Sequence, residues 1–421
     1  MWHPVARRLV LLAGLTLAVA ACAPTASPQQ GAAAQQQPPA AEKTLLIGAA
    51  LPITGALAPE GKFQKDGYDL WKETINAKGG IKVGNDTYKV DIVYLDYKSD
   101  TSTAVRLAEK LITEDKVQFL FAPFGSGATA AVSAVNEKYE IPMLAPTTAT
   151  EEVYEKGNRY LFGLLVGNRV FAQGAVDLLL QPDPKPRTMA IIARNDLFPT
   201  AVAKAVDAEA RARGLEIVYF EQYAIDSTDL SSPLLAAKAK TPDVIFGTGF
   251  VNDLILMTKQ AKEQRVNPRA FLQTAGPEQP AFIENLKADA NYVITATWWA
   301  PEATYTDQGL LFGSAADYAR RFQDRYGYRA SYTSAASSAC GFVLQTAIEK
   351  AGSVDPKQVR DAIASLEVQS FFGPIKFNQG GQNIGPGIAI LQVQDQKLVA
   401  IAPREAATGE FVYPMPEWEK R

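Results

Sequence analysis

The chain has 421 residues, with 42 Lys and Arg against 45 Asp and Glu, so its formal net charge is −3 and the two signs are interspersed. That balance lacks the basic stripe nucleic-acid binding requires. The only histidine is His3, which removes imidazole general bases, Ser-His and Cys-His pairs and histidine metal sites from everything after it.

In chain order, Arg7 and Arg8 precede an apolar run from Leu9 to Ala21 that ends in Val19-Ala20-Ala21-Cys22. A positive start, a short apolar stretch and small residues at its end describe an export signal over residues 1–21, not a membrane span, which needs about 20 apolar residues. Small residues directly before a cysteine resemble the bacterial lipobox, which implies cleavage before Cys22 and lipid on it. Ordinary secretion, with Cys22 in a discarded or frayed end, is the plainer alternative; the cysteine's position at the cleavage site favours lipidation. Ala23 to Ala41 contains no charge and no bulky apolar residue, so it cannot bury enough surface to order itself. Residues 22–43 therefore read as a lipid-anchored flexible linker. Cys340 is the one cysteine left after Cys22. It lies in an apolar helical pattern and reads as a buried, inert thiol.

From residue 44 short apolar runs alternate with helical patterns. Residues 44–51 form a continuous apolar run, as in a buried strand; Phe63, Gly67, Leu70, Trp71 and Ile75 then recur on one face of a helix, which Gly79 and Gly80 end. Strands over 90–97, 117–122 and 141–145 alternate with helices over 104–112 and 128–139. This is the pattern of a parallel sheet covered by helices on both faces. It restarts with strands over 188–193, 215–220, 243–247, 270–274 and 292–297, separated by helices over 200–213, 230–240, 253–263 and 282–287. Helices over 314–326, 333–351 and 356–366 follow, then β-structure at 375–377, 388–393 and 398–400. The roughly 380 residues beyond the linker suit two domains rather than one core. The fold class is α/β, two doubly wound parallel-sheet lobes, with ligand-binding loops after the strand C-termini facing a cleft. A hinge between the lobes permits closure.

Several short motifs occur in a set order: Ile47-Gly48-Ala49-Ala50-Leu51-Pro52-Ile53-Thr54-Gly55, Gly67-Tyr68-Asp69-Leu70, Ile75-Asn76-Ala77-Lys78-Gly79-Gly80-Ile81, Leu95-Asp96-Tyr97-Lys98-Ser99-Asp100, Gly125-Ser126-Gly127, Ile141-Pro142-Met143-Leu144-Ala145-Pro146-Thr147, Pro242-Asp243-Val244-Ile245 and Gly276-Pro277-Glu278. With them the chain resembles the periplasmic solute-binding proteins of branched-chain amino acid ABC transporters, the leucine/isoleucine/valine type, in lipoprotein form. The resemblance runs from about residue 44 to the end. It implies a class I periplasmic binding protein fold with a crossed chain: residues 44–165 plus 302–366 in the first lobe, 166–301 plus 367–421 in the second. It also implies a monomeric, non-catalytic receptor without metal or cofactor. Such a receptor binds a small solute, an amino acid of branched-chain or apolar type, and delivers it to an ABC permease. A receptor of the same fold for an amide, urea-like or aromatic acid solute is the alternative, with a ligand sensor as a third reading. Carboxylate-based hydrolysis ranks far below, because no suitable pair or nucleophile appears.

The resemblance and the loop positions together nominate site residues. Ser126, between two glycines at the start of a helix, suits a ligand carboxylate, or else is a plain N-cap. Thr147 falls on the family's backbone-donor position, and Ala149 on a position expected to carry a hydroxyl. Thr148 or Thr150 would have to compensate. Glu278 matches the family glutamate that pairs with a ligand ammonium; a solvated loop carboxylate is its plain reading. Phe198, Phe250 and Trp299 sit at loops that would line the second lobe, with hinge packing the alternative for Trp298 and Trp299. Arg169, where some receptors of this fold carry an acid, is a candidate anion contact. Gly55 to Lys62 is not a phosphate loop, because five residues separate its glycines.

Overall fold

The computed structural model describes residues 43–274, 276–385 and 387–421. The export signal, Cys22 and nearly all of the linker lie outside the described residues. The first lobe is built by β1 (Lys43–Leu51), α1 (Ala58–Ala77), β2 (Ile81–Val83), β3 (Asp86–Asp96), α2 (Thr101–Thr113), β4 (Phe119–Phe121), α3 (Gly125–Lys138), β5 (Met143–Ala145) and β6 (Leu161–Gly163). Its sheet runs β2-β3-β1-β4-β5-β6, parallel except for the β2–β3 pair. β1 sits inside the sheet and its last five residues are all buried, which is why it reads as one continuous apolar run.

The second lobe follows with α4 (Asn168–Leu179), β7 (Thr188–Arg194), α5 (Leu197–Ala212), β8 (Glu216–Tyr223), α6 (Ser231–Ala239), β9 (Val244–Thr248), α7 (Val251–Glu263), β10 (Ala270–Gln273), α8 (Pro280–Leu286) and β11 (Val293–Thr297). The chain then returns to the first lobe with α9 (Ala315–Tyr326), α10 (Tyr332–Ala351) and α11 (Pro356–Ala364), followed by the hairpin β12 (Glu367–Ser370) and β13 (Gly373–Lys376). β14 (Ala389–Gln394) and β15 (Lys397–Ala402) complete the second sheet, ordered β15-β14-β11-β10-β9-β7-β8. β14 and β15 add antiparallel to an otherwise parallel sheet. The chain thus crosses between lobes three times: after β6, after β11 and before β14.

Two features depart from the sequence reading. β6 and α4 carry no clear sequence signal, since β6 has three residues and α4 has Gly174 in its interior. That glycine makes room for Ile388, whose Cδ1 would lie 2.6 Å from any added Cβ. The stretch after residue 366, expected in the second lobe, first extends the edge of the first sheet. Gly163 N–H donates to the Gly381 carbonyl (2.8 Å), and Asn383 N–H donates to the Gly163 carbonyl (2.9 Å). The second lobe therefore regains the chain only at β14, because β6 offers an unpaired edge that the passing strand satisfies.

α10 is buried on nearly every side and crosses α1 at two glycines. A Cβ on Gly67 would lie 2.3 Å from the Ser334 carbonyl oxygen, and one on Gly341 would lie 2.0 Å from Trp71 Cδ2. Cys340, on the same helix, is fully buried, and burial pushes its thiol well above the usual range. The largest apolar cluster continues from β1 and α1 through α10 into β7 and β11, so hinge and lobes share one core. Gly341→Ala should destabilise the protein by about 1–3 kcal/mol or more, since overpacking a filled crossing forces backbone shifts. Urea denaturation checks this, and an unchanged midpoint would show that the crossing is not tight.

Candidate functional site: the interlobe cleft

The C-terminal ends of both sheets deliver helix starts to one cleft. On the first lobe the chain leaves β4, turns at Gly125 (φ 82°) and enters α3. The N-cap is Phe124, whose side chain has no acceptor for the first-turn N–H groups. Ser126 is therefore not the N-cap; it lies one residue into the helix, buried. The loop after β5 closes over this turn. The Thr147 hydroxyl accepts from Gly125 N–H (2.9 Å) and the Ser126 hydroxyl from Thr150 N–H (3.4 Å). Tyr154 donates to the Thr148 carbonyl (2.8 Å) and Gln382 to the Ala149 carbonyl (3.2 Å), which holds the loop in place. Thr150 is thus the residue beside Ser126, and Ala149 faces the interior with its carbonyl already used. The Thr148 and Thr150 hydroxyls are buried without a partner among the described residues. Ser126, Thr147 and Thr150 thereby gather hydroxyls and a helix N-terminus at one point, an arrangement suited to an anion.

The second lobe answers with an aromatic wall and a locked ion pair. Phe198 stacks on Phe250 (6.4 Å) and meets Trp298 (5.8 Å), which in turn meets Tyr332 (5.1 Å). Phe124 of the first lobe packs edge-on against Phe250 (5.5 Å) across the cleft. Arg194 Nη1 donates to both carboxylate oxygens of Asp253 (2.9 and 3.1 Å), with its guanidinium over the Phe250 ring. Ser126, Phe124, Phe198, Phe250, Arg194 and Asp196 line a cavity of about 300 Å³.

Deeper in the interface lie two carboxylates. Glu278, after β10, is 3% exposed, and neither of its oxygens has a hydrogen-bond partner among the described residues. Burial pushes its pKa up to about 8 and the nearby Glu60 adds to the rise, against a smaller opposing pull from the Glu278 and Gly276 backbone N–H groups and from Arg329. Glu60, in the first turn of α1, is 1% exposed. Its Oε1 accepts from Val251 N–H (3.2 Å), the first residue of α7 on the opposite lobe, while Oε2 is unpartnered among the described residues. Burial raises it to about 7. The Glu278 loop passes close to the same Val251, because a Cβ on Gly276 would lie 3.4 Å from Val251 Cα. Sequence reasoning missed Glu60, since an acid in a first helical turn ordinarily only complements the dipole. Its opposite partner is 191 residues away.

Two expectations are corrected. Trp299 does not line this cavity. Its indole N–H donates to the Phe371 carbonyl (2.9 Å) and its ring meets Tyr318, so it belongs to the packing at the hinge. Successive residues leave β11 on opposite faces, and Trp298 is the one that touches Phe198. Arg169 is 78% exposed and faces Glu151 (3.9 Å) rather than an anion site.

Known proteins share this architecture. The description "Periplasmic binding protein" belongs to the family profile that matches residues 44–397. The chain is 27% identical over 387 residues to Leu/Ile/Val-binding protein homolog 7 of Brucella abortus, covering 87% of this chain and 94% of that one. It is 28% identical over 382 residues to homolog 8 of the same organism, covering 87% and 92%. Its fold is similar to the leucine binding protein LivK of Thermotoga maritima (TM-score 0.76, 19% identity, 85% and 98% covered). It is also similar to LivJ of Streptococcus pneumoniae in complex with isoleucine (TM-score 0.75, 20% identity, 86% and 100% covered). A third neighbour is an ABC transporter solute binding protein of R. palustris in complex with benzoate (TM-score 0.74, 17% identity, 86% and 96% covered). The chain belongs to the periplasmic binding protein family. That is a family of exported receptors, and among the described residues no helix is long and apolar enough to cross a membrane.

The raised acids carry a pH consequence. Between the ordinary glutamate range and about 7 to 8, the folded protein holds protons on Glu60 and Glu278 that the unfolded chain releases. Their contribution to stability is full below the unfolded pKa and is lost as pH rises through those values. The unfolding temperature of the unliganded protein should fall between about pH 5 and 9, and less so in a Glu60→Gln/Glu278→Gln variant. Equal slopes in differential scanning calorimetry would remove both acids as the cause.

Proposed function

We propose that this chain is an extracytoplasmic receptor that captures an α-amino acid between its lobes and delivers it to an ABC permease. The observation that carries the reading is the pairing of an anion-accepting end, the α3 turn with Ser126 and Thr150, with a buried, unpartnered acid, Glu278. A zwitterion satisfies both, its carboxylate at the helix start and its ammonium at Glu278, in charge-assisted hydrogen bonds. The side chain then meets the wall of Phe198, Phe250 and Trp298. Branched-chain amino acids are the first candidates, on the names of the relatives and the isoleucine in one neighbour. An aromatic acid, as in the benzoate-bound neighbour, suits the wall but leaves Glu278 without a donor.

The receptor acts as a monomer, without catalysis, and gains closure from the ligand's differential affinity for the closed state. Lipid on Cys22 and a linker of about 20 residues hold it near the membrane, with an r.m.s. reach of roughly 25 Å.

In a thermal-shift screen of amino acids, amides and aromatic acids, α-amino acids should stabilise the protein; stabilisation by aromatic acids alone would favour the alternative. Glu278→Gln should weaken an ammonium-bearing ligand by about 10- to 100-fold in calorimetry, the range for a hydrogen bond to a charged group. Unchanged affinity would remove Glu278 from the site. Mass spectrometry of the mature N-terminus should find diacylglycerol on Cys22, and an unmodified thiol there would end the lipoprotein reading.

A further inference from the structure

An α-amino acid bound as above leaves Glu60 unused. This carboxylate projects from the first turn of α1, three residues after Leu57, which lines the cleft. One oxygen reaches across the interface to Val251 N–H (3.2 Å), next to the cleft-lining Phe250; the other has no partner among the described residues. The Glu278 loop packs against the same Val251. Two buried acids from opposite lobes therefore lie near the start of α7, close enough for the charge of Glu60 to act on Glu278.

The charges facing Glu60 do not supply its missing cation. Arg194 on β7 is the nearest, but Asp253 on α7 holds it at 2.9 and 3.1 Å, and Asp196 adds a second carboxylate at 3.7 Å. The remaining groups are Glu278, which repels Glu60, the phenols Tyr97 and Tyr332, and Arg329, which favours the ionised form of Glu278 from a distance but is itself held by Glu302 at 3.0 and 3.1 Å. One ligand ammonium neutralises one of the two glutamates. The other either stays protonated or needs a second positive group, because an unpaired ionised carboxylate is costly in a dry interface. Phe198, Phe250, Trp298 and Tyr332 form the surrounding wall, which suits both a methylene stem and a cation against ring faces.

We propose that the ligand is an α-amino acid whose side chain ends in a second cationic nitrogen group, an amine or guanidinium, and that Glu60 is the residue that selects it. The proposal rests on the amino-acid reading above and names the ligand class within it. The apolar wall takes the stem, Glu60 takes the tip and Glu278 keeps the α-ammonium. As the lobes close, the same glutamate bridges ligand and Val251, so a ligand of the correct charge strengthens the closed state.

Calorimetric titration of the wild-type protein with L-arginine, L-lysine, L-glutamine and L-leucine tests this, with Glu60→Gln as the near-isosteric variant. L-Arginine or L-lysine should bind the wild type at least about 10-fold more tightly than L-leucine. Glu60→Gln should weaken the basic ligand by about 10- to 100-fold and leave L-leucine nearly unchanged. In two buffers of different ionisation heat near pH 7, binding of the basic ligand should release protons from the wild type and fewer from Glu60→Gln. Tight L-leucine binding with weak binding of both basic amino acids would overturn the proposal and leave the amino-acid reading standing. Equal weakening of L-leucine and the basic ligands by Glu60→Gln would also overturn it, making Glu60 a lobe-bridging latch alone. Binding of none of the four would overturn the amino-acid reading itself.

Discussion

Taking an ionised carboxylate out of water costs several kcal/mol unless a donor or cation replaces the water, and the interface between the two lobes buries two such groups. Glu60 comes from the first lobe and Glu278 from the second, each almost fully enclosed. The first lobe does not enclose Glu60 by itself, since Val251 of the second lobe donates to it across the interface. Burial, charge and closure are therefore one equilibrium. The proposed ligand, by supplying positive groups, would lower the energy of the closed arrangement specifically, which is the condition for driving a conformational change.

The rest of the fold serves this constraint by delivering helix starts and rings to one place. Parallel strands end at the same edge, so α3, α5 and α7 all begin at the cleft. The opposing starts come close: a Cβ on Gly127 of α3 would lie 3.3 Å from Asp196, just ahead of α5. The starts are not equivalent. The Asp196 side chain caps α5, Asp253 and Glu60 accept from Phe250 and Val251 N–H at the start of α7, and the start of α3 meets a hydroxyl, Thr147, instead of a carboxylate. That asymmetry sets an end free of carboxylates against an acidic interior, which is what the proposed zwitterion would need to be oriented. Arg194, the one buried guanidinium at the cleft among the described residues, is neutralised by Asp253 and so would not compete for the carboxylate of the proposed ligand.

The hinge explains why neighbouring tryptophans have different roles. The chain leaves β11 through Trp298 and Trp299 on its way back to the first lobe. Trp298 donates to the Val166 carbonyl on another crossing (3.0 Å) and packs its ring against Phe198 and Tyr332, whereas Trp299 donates to the Phe371 carbonyl. Two of the three crossings are thus tied to one another by an indole hydrogen bond. The β12–β13 segment is tied to the first lobe, which leaves the third crossing short.

The alternation of apolar runs and helical faces was enough to expose two α/β lobes, because period and burial are local properties of a doubly wound sheet. Short motifs carried the family, and loop position after a strand marked Ser126, Thr147, Phe198, Phe250 and Glu278 as facing one region. The hidden parts were those whose meaning depends on distant partners. β6 is too short to carry a period, and the segment after residue 366 joins the first lobe only because β6 leaves an edge to pair. Ser126 and Thr150 form a unit through a hydrogen bond between loops 24 residues apart. Glu60 looks like any acid in a first helical turn. The sequence by itself determined architecture, export pattern and the chemistry available. Only the tertiary structure decided that two acids lose their water together, because desolvation is a property of what packs above a residue and not of its neighbours along the chain.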